Sequence, residues 1–149
     1  MKWIILTVIL LWAVFLLLPN GAMADGCTGQ VSPATAQQFA KDWIAAWNSH
    51  DLPRILEHYA EELELRSPNI VTIGGEPSGV LKGRDRVAAY WAKALTGSNL
   101  TFELVDAFPG VNSVAIHWRR PGREVIEVVE FNPACKVVRS NVLVKLTPD

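Results

Sequence analysis

The stretch Val125-Ile126-Glu127-Val128-Val129-Glu130-Phe131 has the composition of a β-strand and carries two acids. Consecutive side chains of a strand point to opposite faces, so Glu127 lies on one face with Val125 and Val129, and Glu130 lies on the other. If the face of Glu127 lines a core, its carboxyl group must be paired or protonated. Glu127 is therefore the first candidate for a functional residue.

Other strand candidates surround this stretch. They cover residues 100–107, 111–119 and 136–146, while the quoted strand extends over 123–131. Pro-Gly and Asn-Pro pairs separate the four segments, and such pairs are typical of tight turns. Four successive strands with short connections predict an antiparallel meander in the carboxyl-terminal half.

The segment before the meander predicts helices. Ser32-Pro33 is a typical helix start, and apolar residues then recur at helical spacing over 33–49. A second helix is expected over 52–59 after the capping residue Asp51, and a third over 84–95. Short strands are expected at 63–66 and 70–73, followed by a loop over 74–79. The order predicts an α+β fold with three N-terminal helices packed on a curved antiparallel sheet.

The amino-terminal 24 residues have the pattern of a signal peptide. Lys2 precedes a long apolar run, Pro19-Asn20-Gly21 ends that run, and Ala22-Met23-Ala24 matches a cleavage site. The alternative is an uncleaved membrane anchor. We expect an exported chain, periplasmic or secreted, with a polar lead over 25–31 and one domain over 32–149.

The two cysteines, Cys27 and Cys135, suit an exported chain. An even number of cysteines outside the cytoplasm predicts a disulfide, here between the polar lead and the turn around Asn132-Pro133. Two unpaired thiols, or a lipid anchor on Cys27, are the alternatives.

The composition excludes several classes of partner. The formal net charge is −1, and no basic stripe accompanies it, which argues against nucleic-acid binding. No group of His, Cys, Asp and Glu has the spacing of a metal site, and no phosphate-binding loop is present, so neither a metal nor a cofactor is expected.

Three stretches, 43–61, 81–91 and 125–138, occur in an order that resembles the NTF2-like superfamily, and within it the SnoaL-like and ketosteroid-isomerase-like proteins. The resemblance covers roughly residues 32–144. It implies a cone-shaped barrel with an apolar pocket between the helices and the concave sheet face, and a homodimer formed through the sheet face. It does not set the function, because the superfamily contains isomerases, cyclases, hydrolases and binding proteins.

The isomerase pattern carries over only in part. The position of the general base falls at Ser67, which has no carboxylate to remove a proton. The phenol donor falls at Trp43, and two supporting tyrosines fall at Tyr59, which is retained, and Trp91, which is changed. The protonated acid that donates a second hydrogen bond falls at Glu127. A steroid-type isomerisation is therefore not expected.

His117 supplies the sharpest catalytic hypothesis. If it lies on the pocket face, it forms an acid–base dyad with Glu127 on the neighbouring strand. A slip of one residue in register would reverse its face, and His117 would then be a surface residue. Glu127 has its own alternative, which is a salt bridge with Arg119 or Arg139 on an exposed face.

The aromatic residues Trp43, Trp47, Tyr59 and Trp91 are expected to line the pocket, although aromatic stripes at helical spacing are also typical of a plain core. We therefore expect a small, mostly apolar ligand, with Ser67 among the contacts and without clear catalytic residues. One alternative is a SnoaL-like isomerase, cyclase or hydrolase that uses Glu127. A dimerising structural or assembly module is the other.

Overall fold

The computed structural model describes residues 27–96 and 99–147. The predicted signal segment therefore lies outside the described residues. Among the described residues, no helix is both long enough and apolar enough to cross a membrane.

The elements follow the predicted α+β order. The described part of the chain begins with helices α1 (Pro33–Asn48) and α2 (Leu52–Leu56). Strands β1 (Tyr59–Arg66) and β2 (Val80–Lys82) follow, and then helix α3 (Arg84–Leu95). It ends with four strands, β3 (Glu103–Pro109), β4 (Ser113–Arg120), β5 (Arg123–Phe131) and β6 (Val137–Leu146). The six strands form one curved, unclosed sheet in the order β2-β1-β6-β5-β4-β3. The predicted meander of four long strands, β3 to β6, is confirmed.

Helix α1 begins and packs as its sequence predicts. The Ser32 hydroxyl accepts a hydrogen bond from the amide of Thr35 at 3.1 Å, and Pro33 occupies the first turn. Its apolar face is buried and packs against β3, whereas α3 packs against β1. The buried residues of α1 are Ala36, Phe39, Ala40, Trp43, Ile44, Ala46 and Trp47.

Three predictions differ from the structure, and one short strand was not predicted. The second helix ends at Leu56, because Tyr59 already pairs with Val137 of β6 and starts a strand. That pairing makes β1 parallel to β6, so the sheet is not wholly antiparallel. Residues 70–73 form a π-helical turn, Ile70–Gly74, in which only Ile70 is buried, so no strand alternation develops. The short strand β2 occupies a segment for which no strand was predicted.

The amino-terminal lead is fixed to the sheet. Cys27 and Cys135 form a disulfide whose Cα atoms are 5.4 Å apart. The Val31 amide donates to the carbonyl of Gly110 at 3.0 Å, and Gln30 pairs with Val111. The disulfide and these backbone bonds hold the lead against the turns at one end of the meander.

Candidate functional site

A cavity of about 130 Å³ lies between the helices and the concave face of the sheet. Aromatic rings from both layers form most of its wall. Phe102 stacks on Trp118 with ring centroids 4.1 Å apart, and Trp47 meets Trp91 edge-on at 5.1 Å. The aromatic residues of the lining are Trp43, Trp47, Tyr90, Trp91, Phe102 and Trp118. These ring contacts give the cavity a largely apolar, aromatic wall.

Glu127 brings a carboxyl group into this cavity. It lies opposite Ile116 of β4 and Val142 of β6, on the concave face of the sheet, and its exposed fraction is 5%. The hydroxyl of Ser140, which is fully buried, donates to Glu127 Oε1 at 2.6 Å. One carboxyl oxygen is therefore fixed by β6, and the other remains for a ligand or a proton.

Burial favours the neutral form of Glu127. It raises the pKa of this carboxyl from 4.5 to about 7, although the hydrogen bond from Ser140 and the nearby indole N–H of Trp118 oppose the rise. At and below neutral pH, much of the population carries a proton. A neutral carboxylic acid donates a hydrogen bond, which a carboxylate cannot do.

Two indole N–H groups at the cavity have no hydrogen-bond partner among the described residues. They belong to Trp47 and Trp118, each 7% exposed. The N–H of Trp118 lies near enough to Glu127 to lower its pKa, but it does not reach hydrogen-bond geometry. A buried donor without a partner is costly, so an acceptor placed between Trp118 and Glu127 would satisfy two groups at once.

Trp43 and Tyr59 pair with each other. The indole N–H of Trp43 donates to the Tyr59 hydroxyl at 2.7 Å, and both side chains are buried. Burial, with a smaller contribution from the charge of Glu127, raises the pKa of Tyr59 well above its ordinary value. Trp43 contributes only its ring to the cavity, because its N–H is already bonded. Tyr59 is not among the lining residues and packs against Trp91, which is.

Ser67 lies on the cavity wall, at the position that the family comparison reserved for a base. It is buried, and its oxygen accepts a hydrogen bond from the Asn69 amide at 3.2 Å. Among the described residues that line the cavity, Glu127 is the only acid. Within residues 27–96 and 99–147, no group of three or more His, Cys, Asp or Glu could hold a metal ion.

The expected proximity of His117 to Glu127 is wrong. His117 lies opposite Ile126, on the convex face of the sheet, and its Nε2 is 2.8 Å from Oε1 of Glu124. The pairing register between β4 and β5 places Ile116 opposite Glu127, so Ile116 rather than His117 shares its face. The proposed dyad therefore does not form.

The two arginines considered as partners for Glu127 have other partners on the convex face. Arg119 pairs with Glu103, and Arg139 pairs with Glu130, each with a shortest distance of 2.6 Å. Glu127 is therefore not part of an exposed salt bridge.

Sequence reasoning missed Arg120 and Arg123, which line the cavity where β4 turns into β5. Arg123 Nη1 donates to Asn69 Oδ1 at 2.6 Å. The signal was present, because Arg120 follows Trp118 by two residues and so shares its face.

The family model for the SnoaL-like domain matches residues 40–142. The chain belongs to the SnoaL-like family. This SnoaL-like domain is 47% identical to a SnoaL-like protein of unknown function from Burkholderia thailandensis, with a TM-score of 0.74 over 78% of this chain and 98% of that one. No curated protein sequence matches it.

More distant solved structures share the fold of this SnoaL-like domain. SalBIII, described as an epoxide hydrolase/cyclase-like enzyme in pyran ring formation of the polyether salinomycin, is 18% identical, with a TM-score of 0.59 over 75% of this chain and 92% of that one. AclR, a putative hydroxylase from Streptomyces galilaeus, is also 18% identical, with a TM-score of 0.57 over 78% and 83%. At these identities the likeness shows the fold alone.

Proposed function

We propose that this SnoaL-like domain binds a small, mostly apolar ligand and that protonated Glu127 donates a hydrogen bond to an acceptor atom of that ligand. The observation that carries the proposal is the convergence of the Glu127 carboxyl and the Trp118 N–H on one aromatic cavity. Apolar walls with a few placed polar groups are typical of small-molecule sites. The cavity volume of about 130 Å³ is close to that of cavities that hold a single benzene ring, ~150 Å³.

The residues of the cavity favour binding over catalysis. Proton abstraction or hydrolysis by paired carboxyl groups needs a second acid or base within reach of the substrate. Ser67 supplies no such group, and His117 lies on the other side of the sheet. Glu127 is the one acid of the described lining, and together with the indole N–H of Trp118 it is suited to holding a carbonyl or ether oxygen.

The test uses acetophenone, a one-ring ketone, against ethylbenzene, a hydrocarbon of similar shape. We expect acetophenone to quench tryptophan fluorescence with a several-fold lower Kd than ethylbenzene, since one net hydrogen bond contributes about 0.5–1.5 kcal/mol. The affinity for acetophenone should fall as pH rises through about 7, because ionised Glu127 no longer donates. Glu127→Gln should keep most of the affinity and lose this pH dependence. Equal binding of both probes at every pH would refute the proposed hydrogen bond.

A second candidate function is catalysis by Glu127 as a general acid or base. It is favoured by one observation, namely that burial places the pKa of Glu127 at about 7, where an acid–base group works best near neutral pH. The test is turnover of a small aryl epoxide such as styrene oxide, followed by chromatography. Turnover that Glu127→Gln abolishes and Glu130→Gln retains would establish catalysis and displace the binding role.

We also propose that the chain is exported and that the segment 1–24 is removed. The composition of that segment and the Cys27–Cys135 disulfide support export, because structural disulfides form in oxidising compartments. Intact-mass measurement of the chain recovered outside the cytoplasm tests this. A mass that includes residues 1–24 would instead support the membrane anchor.

A further inference from the structure

Two arginines stand side by side at one end of the cavity. Arg120 ends β4, Arg123 begins β5, and the two residues are direct cross-strand partners. Both line the same cavity as Trp118 and Glu127. Side chains opposite each other in an antiparallel pair have Cβ atoms about 4.5–5.5 Å apart, and like charges there repel.

Neither guanidinium group has an acidic partner among the described residues. Within residues 27–96 and 99–147, no carboxylate oxygen lies within 4.0 Å of Arg120 or Arg123, whereas Arg119 on the opposite face forms two hydrogen bonds, of 2.6 and 2.9 Å, with Glu103. Each guanidinium has five N–H donors, of which Arg123 gives one to Asn69. Burial and the charge of Arg123 lower the pKa of Arg120, although an arginine remains protonated at neutral pH.

We infer that the ligand of this cavity is a small ring compound that carries a carboxylate, and that Arg120 and Arg123 bind this carboxylate. The inference rests on the proposed function, because it assumes that a ligand occupies the aromatic cavity. Planar guanidinium groups match a carboxylate with two parallel hydrogen bonds. The bound anion would also relieve the repulsion between the two arginines.

The spacing of the polar groups fixes the order of features along the ligand. The Cα atoms of Glu127 and Arg123 are four residues apart on β5, or ~13 Å at ~3.3 Å per residue, and the long arginine side chain can shorten the span that the ligand must cover. Val125 and Trp118 lie between them on the concave face. The ligand would therefore place its hydrogen-bond acceptor at Glu127, its apolar ring beside Trp118, and its carboxylate at the arginines. A singly charged group fits this half-buried place better than a doubly charged one, because the cost of desolvation rises with charge.

The test compares 4-acetylbenzoate with 4-acetylbenzamide, which has the same ring and ketone without the charge. Calorimetry below the pKa of Glu127 should give the carboxylate a Kd about 10- to 100-fold lower, since hydrogen bonds between charged groups are the strong ones. Arg120→Gln should remove most of this advantage, and added salt should reduce it in the unmodified protein. The matched control is Arg119→Gln, which removes a neighbouring arginine from the convex face and should keep the advantage.

The outcomes separate this inference from the proposed function. If acetophenone binds but the carboxylate gains nothing over the amide, the inference is overturned and the binding function stands. If acetophenone, 4-acetylbenzoate and 4-acetylbenzamide all fail to bind, the inference and the proposed function are both refuted. Equal losses in Arg120→Gln and Arg119→Gln, or tighter binding of 4-acetylphenyl phosphate than of the carboxylate, would also overturn it. A thermal unfolding midpoint of Arg120→Gln equal to that of the original protein shows that the loss is not one of folding.

Discussion

Replacing Glu127 with Gln should remove a large pH dependence from the stability of the fold. The amide has nearly the size of the carboxyl group and still accepts the hydrogen bond from Ser140, but it cannot ionise. Any change in stability that follows from ionisation of Glu127 is therefore present in the original protein and absent from the variant.

The magnitude follows from the difference between the folded and unfolded pKa values. The folded value of about 7 exceeds the ordinary value of 4.5, so the folded state binds more protons than the unfolded state between them. The stabilisation is complete below pH 4.5 and is lost as pH rises through about 7. A difference of about 2.5 pKa units corresponds to about 3 kcal/mol.

The assay is urea unfolding of the disulfide-bonded protein across this pH range, followed by tryptophan fluorescence. The free energy of unfolding of the original protein minus that of Glu127→Gln should fall by about 3 kcal/mol from acid to mildly alkaline pH. Taking the difference cancels the contribution of other groups, including His58, whose pKa burial lowers. Glu130→Gln on the convex face serves as the control and should keep the original slope, because Glu127 is still present. Parallel pH curves for the original protein and Glu127→Gln would refute the buried neutral acid.

Three further predictions concern neighbouring features. Ser140→Ala should raise the pKa of Glu127 further, because the hydroxyl stabilises the carboxylate, and a carbon-13 NMR titration of the glutamate side chains would contradict this if the midpoint stayed or fell. Replacing Cys27 and Cys135 with Ser should lower the free energy of unfolding by about 2–5 kcal/mol in a urea titration, because the bond closes a long loop, and a loss under 1 kcal/mol would be too small for that account. If the chain forms the sheet-face homodimer that its family resemblance implies, Ile126→Glu, on the convex face where 41% of Ile126 is exposed, should shift it toward monomer in sedimentation velocity, and an unchanged sedimentation coefficient would count against that dimer.

The fold was predictable because its largest elements carry strong local patterns. The apolar spacing in α1, the cap at Ser32 and the turn pairs between the long strands each fix structure through nearby residues. The errors occur where the local structure depends on pairing with residues that are distant in the sequence. Tyr59 looked like a continuation of a helix, but its backbone pairs with β6, which lies almost eighty residues later in the chain. Residues 70–73 are apolar enough for a strand, yet they pair with no strand among the described residues and form a π-helical turn.

For the site, the sequence predicted only which residues of β5 share a face of the sheet. Alternation along β5 correctly groups Glu127 with Val125 and Val129, but alternation alone does not tell which residues of β4 lie opposite them. Ile116 takes that position and moves His117 to the other face, a difference of one residue in register. The same alternation carried two residues beyond Trp118 would have placed Arg120 on the cavity wall.

Glu127 and the ligand carboxylate that we infer would be the same functional group in opposite protonation states within one cavity. The two environments allow this, because Glu127 is enclosed by aromatic rings and a serine, whereas the other end of the cavity offers two guanidinium groups without acidic partners. Neither arginine is among the causes that shift the pKa of Glu127. A free ring carboxylate ionises above about pH 4, and Glu127 stays neutral up to about pH 7. Binding should therefore be strongest between these limits, since below them the arginines lose their anion and above them the cavity loses its donor.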